Sequence, residues 1–312
     1  RVDEEGMEAG MASMQEPRLD LGSFHLVQEM PQVGGASGIV CRMRSSQNGS
    51  ECVFKLLALP LRQDEVLRCL EGIRKAWSAA DGHPNILTFL DCTYDQATQR
   101  FIIATEWMDC LSLRDHMLPG RPIPEPVVGG IMSQTVFGLA HLHSVQHTAH
   151  RDIKPSNILL NSAGNVKITD LCQSRQLAQT LDMMGTYVGQ TLYMSPERIQ
   201  GARYTANCDV WSVGLIAMQC LLGHYPYLPP TSEVESLGMH EVIAMIEDNE
   251  PPRLNPATCG ASEEAADFCR ACLEYDQEVR VHSAQLPQHP WVQRLQPPTG
   301  SQAISTWLAQ AT

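Results

Sequence analysis

The sequence predicts an α+β chain in which a small β-rich lobe precedes a larger, mainly helical one. Three observations carry this. From Leu19 to Phe54 apolar and polar residues alternate, with Gly34-Gly35, Gly38 and Asn48-Gly49 as punctuation, the pattern of twisted antiparallel strands joined by hairpins. After Asp109 the apolar spacing becomes helical, as in Val127–Ser144 with Ile131, Val136, Leu139 and Leu142. The chain has 312 residues, 43% hydrophobic and 18% charged, enough to bury a core and too apolar for a disordered protein.

In chain order, residues 1–17 are polar and without periodicity and read as a tail. The alternating strands follow. Asp64–Ala80 carries Val66, Leu70, Ile73 and Trp77 at helical spacing, and Phe101–Met108 reads as a further strand. A hinge is expected near Glu106–Cys110. Beyond the helix at 127–144, residues 150–197 mix short strands and loops. Asn207–Leu222 is apolar enough to be a buried helix, and Gly238–Glu250 and Glu263–Leu273 are helices bounded by prolines. The expected divisions are a tail at 1–17, a small lobe at 18–108, a large lobe at 109–292 and an extension at 293–312.

Lys plus Arg total 22 against 35 Asp plus Glu, a net charge of −13, which argues against a nucleic-acid partner. A small phosphate ligand stays compatible, because local geometry outweighs global charge. The apolar run Val53–Leu61 is broken by Lys55 and Pro60, so no membrane span is expected. The first residues, Arg1-Val2-Asp3-Glu4-Glu5, lack the apolar core of a secretion signal. Eleven cysteines show one C-x-x-C, Cys269–Cys272, where zinc needs four ligands. Free thiols point to the cytoplasm, with nuclear entry open, and a monomer is expected.

The strongest chemical signal is His150-Arg151-Asp152-Ile153-Lys154-Pro155-Ser156-Asn157, followed by apolar Ile158-Leu159-Leu160 and, after the strand Val166–Thr169, by Asp170. Asn157 and Asp170 offer hard oxygen ligands suited to magnesium. Asp152 can orient a hydroxyl for attack, and Lys154 can neutralise a transferring phosphoryl group. This segment resembles the catalytic loop of the eukaryotic protein kinases, a resemblance that covers roughly residues 22–292. It implies the two-lobed kinase fold, with ATP and Mg2+ as cofactors in a cleft between the lobes. Asp152 is then the catalytic base, Asn157 and Asp170 the metal ligands, Arg151 an anchor for the activation segment, and Lys55 the binder of the α- and β-phosphates. Glu197 should pair with Arg280, and Asp209 should cap the backbone of the catalytic loop.

Tyr193-Met194-Ser195-Pro196-Glu197-Arg198-Ile199, the hinge Glu106-Trp107-Met108-Asp109 and the loop's Ile153-Lys154-Pro155-Ser156 resemble the MAP kinase kinases. The tail Ala303–Leu308, with Trp307, is similar to that group's short C-terminal helix. The resemblance implies a nucleotide pocket of Val33, Gly35, Gly38, Val40, Val53, Lys55, Glu71, Thr105 as gatekeeper, Glu106, Met108, Leu159 and Asp170. It implies a MAP kinase-like substrate and an upstream kinase as partners. Thr186 matches one activating phosphorylation site, and Thr180 is an alternative. Asp182 stands where the other site falls, carrying one charge where a phosphate carries about −1.5 to −2.

Four departures stand out. The first glycine of the phosphate loop is Val33, with Gly34 beside it. Leu171-Cys172 replaces a Phe-Gly step, and a side chain at Cys172 resists positive φ by about 1–2 kcal/mol. The acid expected to pair with Lys55 is Glu71 if a short insertion precedes His83-Pro84-Asn85, whereas the ungapped register puts Arg74 there. Gln190 stands where the family has a threonine, unless Thr191 substitutes. The sequence thus points to a protein kinase for Ser and Thr, with Tyr as a further acceptor left open, and a pseudokinase scaffold as the rival.

Overall fold

The computed structural model describes residues 20–30, 38–58, 62–78, 82–147, 149–171, 191–230, 232 and 237–311. The described residues form two compact units, one drawn from 20–30, 38–58, 62–74 and 88–107, the other from 75–78, 82–87 and the described residues from 108 onward.

The first unit is a five-stranded antiparallel sheet in the order β1-β2-β3-β5-β4. Its strands are β1 (Phe24–Met30), β2 (Ile39–Ser45), β3 (Glu51–Ala58), β4 (Phe89–Asp95) and β5 (Arg100–Glu106). Asn48-Gly49 turns β2 into β3: Gly49 takes φ 72° and the Asn48 side chain accepts from Ser50 N at 2.9 Å. The period of two then separates the faces. Cys52, Phe54 and Ala104 form a buried cluster with Phe24, Cys41 and Met43 packed on it. The opposite face of β3 carries Val53 and Lys55. Helix α1 (Gln63–Ser78) buries Val66, Leu70, Ile73 and Trp77, the stripe its sequence announces. Strand β4 was not foreseen. A register shift between Phe89 and Asp91 breaks its alternation, and buried Asp91 pairs with Arg74 of α1 at 3.4 Å.

The second unit is mainly helical, so the small antiparallel lobe and larger helical lobe expected from sequence are both present. It contains α2 (Leu113–His116), α3 (Glu125–Gln146), the hairpin β6 (Ile158–Leu160) with β7 (Val166–Ile168), α4 (Pro196–Ile199) and α5 (Cys208–Leu222). Then come α6 (Met239–Asp248), α7 (Glu263–Cys272), α8 (Pro290–Arg294) and α9 (Thr299–Ala311). Apolar α5, buried from Cys208 to Met218, is the axis: α3 packs on one side and α7 on another. Helix α9 is longer than the expected 303–308. It lies along α3, burying Ile304 and Leu308, and Trp307 meets the His116 ring at 5.5 Å. Among the described residues no helix is long and apolar enough to cross a membrane.

Candidate functional site

In an antiparallel ladder, directly opposed residues share a face. Val40 opposes Lys55 across β2 and β3, and Val53 opposes Thr105 across β3 and β5. The register therefore gathers Val40, Val53, Lys55 and Thr105 on one side of the sheet, away from the Phe54 cluster. Lys55, Val40 and Val53 are half-buried and Thr105 is buried. Gly38 opens this face at φ 153°, where a Cβ would lie 2.5 Å from the Leu56 carbonyl oxygen, so only glycine fits. Glu106 closes it: its N–H donates to Thr88 O at 3.0 Å and its carboxylate accepts from Thr88 N at 2.6 Å. Val33 and Gly35 lie outside the described residues.

Glu71, the acid expected to pair with Lys55, stands on α1. Leu70 belongs to the buried stripe of α1, and Glu71, about 100° further round the helix, is exposed. It enters no ion pair among the described residues. Arg74, from the alternative register, is half-buried and donates to Asp91 Oδ1 at 3.4 Å and Cys92 O at 3.0 Å.

In the second unit the loop His150–Asn157 is fixed by Asp209, at the start of α5. Its carboxylate accepts from His150 N at 2.6 Å and Arg151 N at 2.8 Å, and bonds His143 Nε2 at 2.8 Å. Burial alone would raise the Asp209 carboxyl, but these partners, His143 first, hold it below the usual carboxylate value. The expected cap is present. His150 Nδ1 accepts from Asp152 N at 3.3 Å, which leaves its Nε2–H to donate to Thr169 O at 2.8 Å. That bond ties the loop to the strand leading into Asp170.

The 3-10 turn Pro155–Asn157 folds Asn157 back onto Asp152. Asn157 Nδ2 donates to the Asp152 carbonyl at 2.7 Å and to its Oδ2 at 2.9 Å, and Lys154 Nζ meets the same Oδ2 at 2.9 Å. The other oxygen, Oδ1, is buried and accepts no hydrogen bond among the described residues. One carboxylate oxygen is thus held by two donors while the other is left to act. Asn157 commits its amide nitrogen to Asp152, which leaves its carbonyl oxygen as the donor atom for a metal to use, and Asp170 follows β7 at φ 65°. These residues fit a magnesium ion, which takes hard oxygen donors.

Arg151 stands at φ 70°, with its guanidinium 5.6 Å from the Tyr204 ring centre and its buried Nε without a hydrogen bond among the described residues. Arg198 of α4 reaches the same ring at 5.7 Å and donates to Arg151 O at 2.6 Å. The expected Glu197–Arg280 pair is formed, with both guanidinium nitrogens on the carboxylate at 2.8 and 3.0 Å. Met108 is buried, Leu159 is half-buried on β6, and Cys110 is half-buried, its thiol pushed up by burial and then by Asp109. Cys172, Thr180, Asp182, Thr186 and Gln190 lie outside the described residues. Sequence reasoning missed Asp109, Gln134, His143, Arg198 and Tyr204, which act through partners far along the chain.

The family model of the protein kinase domain matches residues 27–292. Mitogen-activated protein kinase kinase 2 of Arabidopsis thaliana is 33% identical over 89% of this chain and 74% of its own length. Mitogen-activated protein kinase kinase SIPKK of Nicotiana tabacum is 32% identical over 88% of this chain and 75% of its own length. Dual specificity mitogen-activated protein kinase kinase dSOR1 of Drosophila melanogaster is 30% identical over 86% of this chain and 71% of its own length. With its small antiparallel sheet, its helical unit and its Asp209-capped loop, the chain belongs to the protein kinase family, and within it to the MAP kinase kinases.

Proposed function

We propose that the chain transfers the γ-phosphate of ATP to Ser, Thr and Tyr hydroxyls of a MAP kinase-like protein and is itself switched by an upstream kinase. The observation that carries this is the Asp152 carboxylate: Lys154 and Asn157 fix Oδ2, and buried Oδ1 is left to accept a substrate hydroxyl proton. Asn157 and Asp170 would hold magnesium, which when bound screens the phosphate charge. Lys154 neutralises the transferring group, and Lys55 supplies charge to the α- and β-phosphates. The sheet face of Val40, Val53 and Thr105, with Gly38, Glu106, Met108 and Leu159, completes the nucleotide contacts. Thr186 is the proposed switch, with Asp182 a partial phosphate mimic and Thr180 the alternative site. Thr186→Ala that still responds fully to an upstream kinase removes Thr186 from that role.

A pseudokinase is the second reading. It draws on α1, where Glu71 is exposed and the half-buried position is an arginine. Purified chain, Mg-ATP and a MAP kinase-like substrate separate the two, with Asp152→Asn as control. Equal phosphate incorporation by both proteins ends the enzyme reading. A Mg-ATP melting shift shared by both, with incorporation by neither, favours the scaffold.

A further inference from the structure

The hairpin β6–β7 is two three-residue strands, and the proposed metal ligands stand at its open end. Asn157 directly precedes β6, Asp170 lies two residues past the end of β7, and Thr169 N donates to Asn157 O at 3.1 Å between them. A ladder this short is marginal by itself, so the geometry of its ends depends on what grips its turn.

The turn is gripped from three sides. The Asp109 carboxylate accepts from Ser162 N at 2.8 Å and Ser162 Oγ at 2.6 Å. Gln134 of α3, 2% exposed, donates from Nε2 to Gly164 O at 3.0 Å. Its Oε1 accepts from Val166 N at 2.9 Å and Asn85 Nδ2 at 3.1 Å. Helix α9 covers the same turn: Ser305 Oγ donates to Ser162 O at 2.8 Å, and Ser301 Oγ lies 3.4 Å from Gln134 Nε2. The approach is close enough that a Cβ on Gly164, at φ 79°, would sit 2.0 Å from the Ser301 carbonyl oxygen.

We infer that Gln134 and the C-terminal helix α9 are positioning elements for the metal-ligating pair Asn157 and Asp170, acting through the β6–β7 turn. The inference rests on the metal assignment proposed above. Gln134 bonds Gly164 O in the turn and Val166 N at the start of the return strand, and α9 contacts Gln134 and Ser162 through Ser301 and Ser305. Their effect appears in how well the hairpin's open end holds the ion.

The test is the melting shift of the full chain at fixed ATP, titrated with Mg2+, repeated with Mn2+ binding read by electron paramagnetic resonance. Both readouts are independent of turnover. Gln134→Met keeps the side chain's shape and removes its hydrogen bonds. It should raise the apparent metal constant about ten-fold, the usual scale for a group that orients a ligand. Ser305→Ala, a milder change on the half-buried face of α9, should shift it in the same direction and serves if Gln134→Met fails to fold. Phe268→Leu, in the α7 core, controls for general destabilisation and should lower the melting temperature without moving the metal constant. Metal constants that move in Gln134→Met and Ser305→Ala no more than in Phe268→Leu overturn the inference while leaving the metal assignment intact. Asn157→Ala without effect on the metal constant, or a wild-type chain without any Mg2+-dependent shift, overturns both.

Discussion

Replacing Arg280 by Met tests how the activation-segment end of the helical unit is anchored. Arg280 is 3% exposed and its guanidinium makes two bonds to the Glu197 carboxylate, at 2.8 and 3.0 Å. It also donates to Glu274 O at 2.8 Å, Asn207 O at 3.1 Å and Tyr275 O at 3.2 Å, and lies over Trp211 at 5.2 Å. Burial by itself would raise the Glu197 carboxyl, and the guanidinium reverses that, holding it below the usual value. Methionine keeps much of the volume but strands a buried carboxylate, at a cost of about 3–5 kcal/mol. For a unit of this size that lowers the melting temperature by about 6–20 °C. Glu197→Gln should cost less, and the double variant should be less damaged than the sum, by about 1–3 kcal/mol of coupling. The sign with pH is also fixed. Without Arg280 burial dominates and the Glu197 pKa rises, so the deficit of Arg280→Met shrinks as acidification protonates Glu197 and grows toward neutrality. Calorimetric melting of the four proteins at pH 5 and pH 7.5 reads both effects. Additive losses below about 1 kcal/mol, unchanged with pH, would refute the reasoning.

Asp209→Asn sets an amide NH2 against the N–H groups of His150 and Arg151. Phosphoryl transfer should fall about 100-fold, with a loss of about 1–3 kcal/mol in denaturant unfolding. His83 stacks on His141 with ring centres 4.5 Å apart and accepts from Asn85 N on Nδ1. Burial, then His141 and Lys167, lower its pKa from 6.5 to about 4. Its contribution is therefore complete above 6.5 and declines as pH falls toward 4, because the unfolded chain takes up the proton first; His83→Asn should flatten that slope in pH-dependent melting. Arg74→Ala should cost about 1 kcal/mol by freeing buried Asp91, whereas Glu71→Gln should change stability by less than about 0.5 kcal/mol and leave the ATP concentration for half-maximal melting shift unchanged. A loss of nucleotide affinity in Glu71→Gln would restore it to the site.

What was legible in the sequence is what chemistry specifies by residue identity at short range. Asp152, Lys154 and Asn157 stand within six residues of chain, so the sequence showed them as one cluster, and the structure adds that Asn157 and Lys154 meet the same carboxylate. The lobes were legible because a period of two gives way to a helical period near 109. The supports were not, because a support needs only a donor or acceptor delivered to a place, which many residue types can fill from anywhere in the fold. Gln134 reaches Gly164 across 30 positions and Asp109 reaches Ser162 across 53, and nothing in either local sequence announces the partner. Helix α9 begins Thr299-Gly300-Ser301, which reads as a turn. Tertiary packing overrides that propensity because Gly300 lets α9 approach Gly130 of α3 too closely for any side chain. The exposure of Glu71 has a related cause. Two registers three residues apart satisfied the spacing from Lys55, and the choice belongs to the apolar stripe of α1. Val66, Leu70, Ile73 and Trp77 bury one arc of the helix, which leaves residue 71 in solvent and 74 at the edge of the buried face. The half-buried position is an arginine, and its guanidinium faces Asp91. Of the four departures, this one bears most directly on whether the intact loop of the helical unit turns over, and measuring transfer beside Mg-ATP binding decides it.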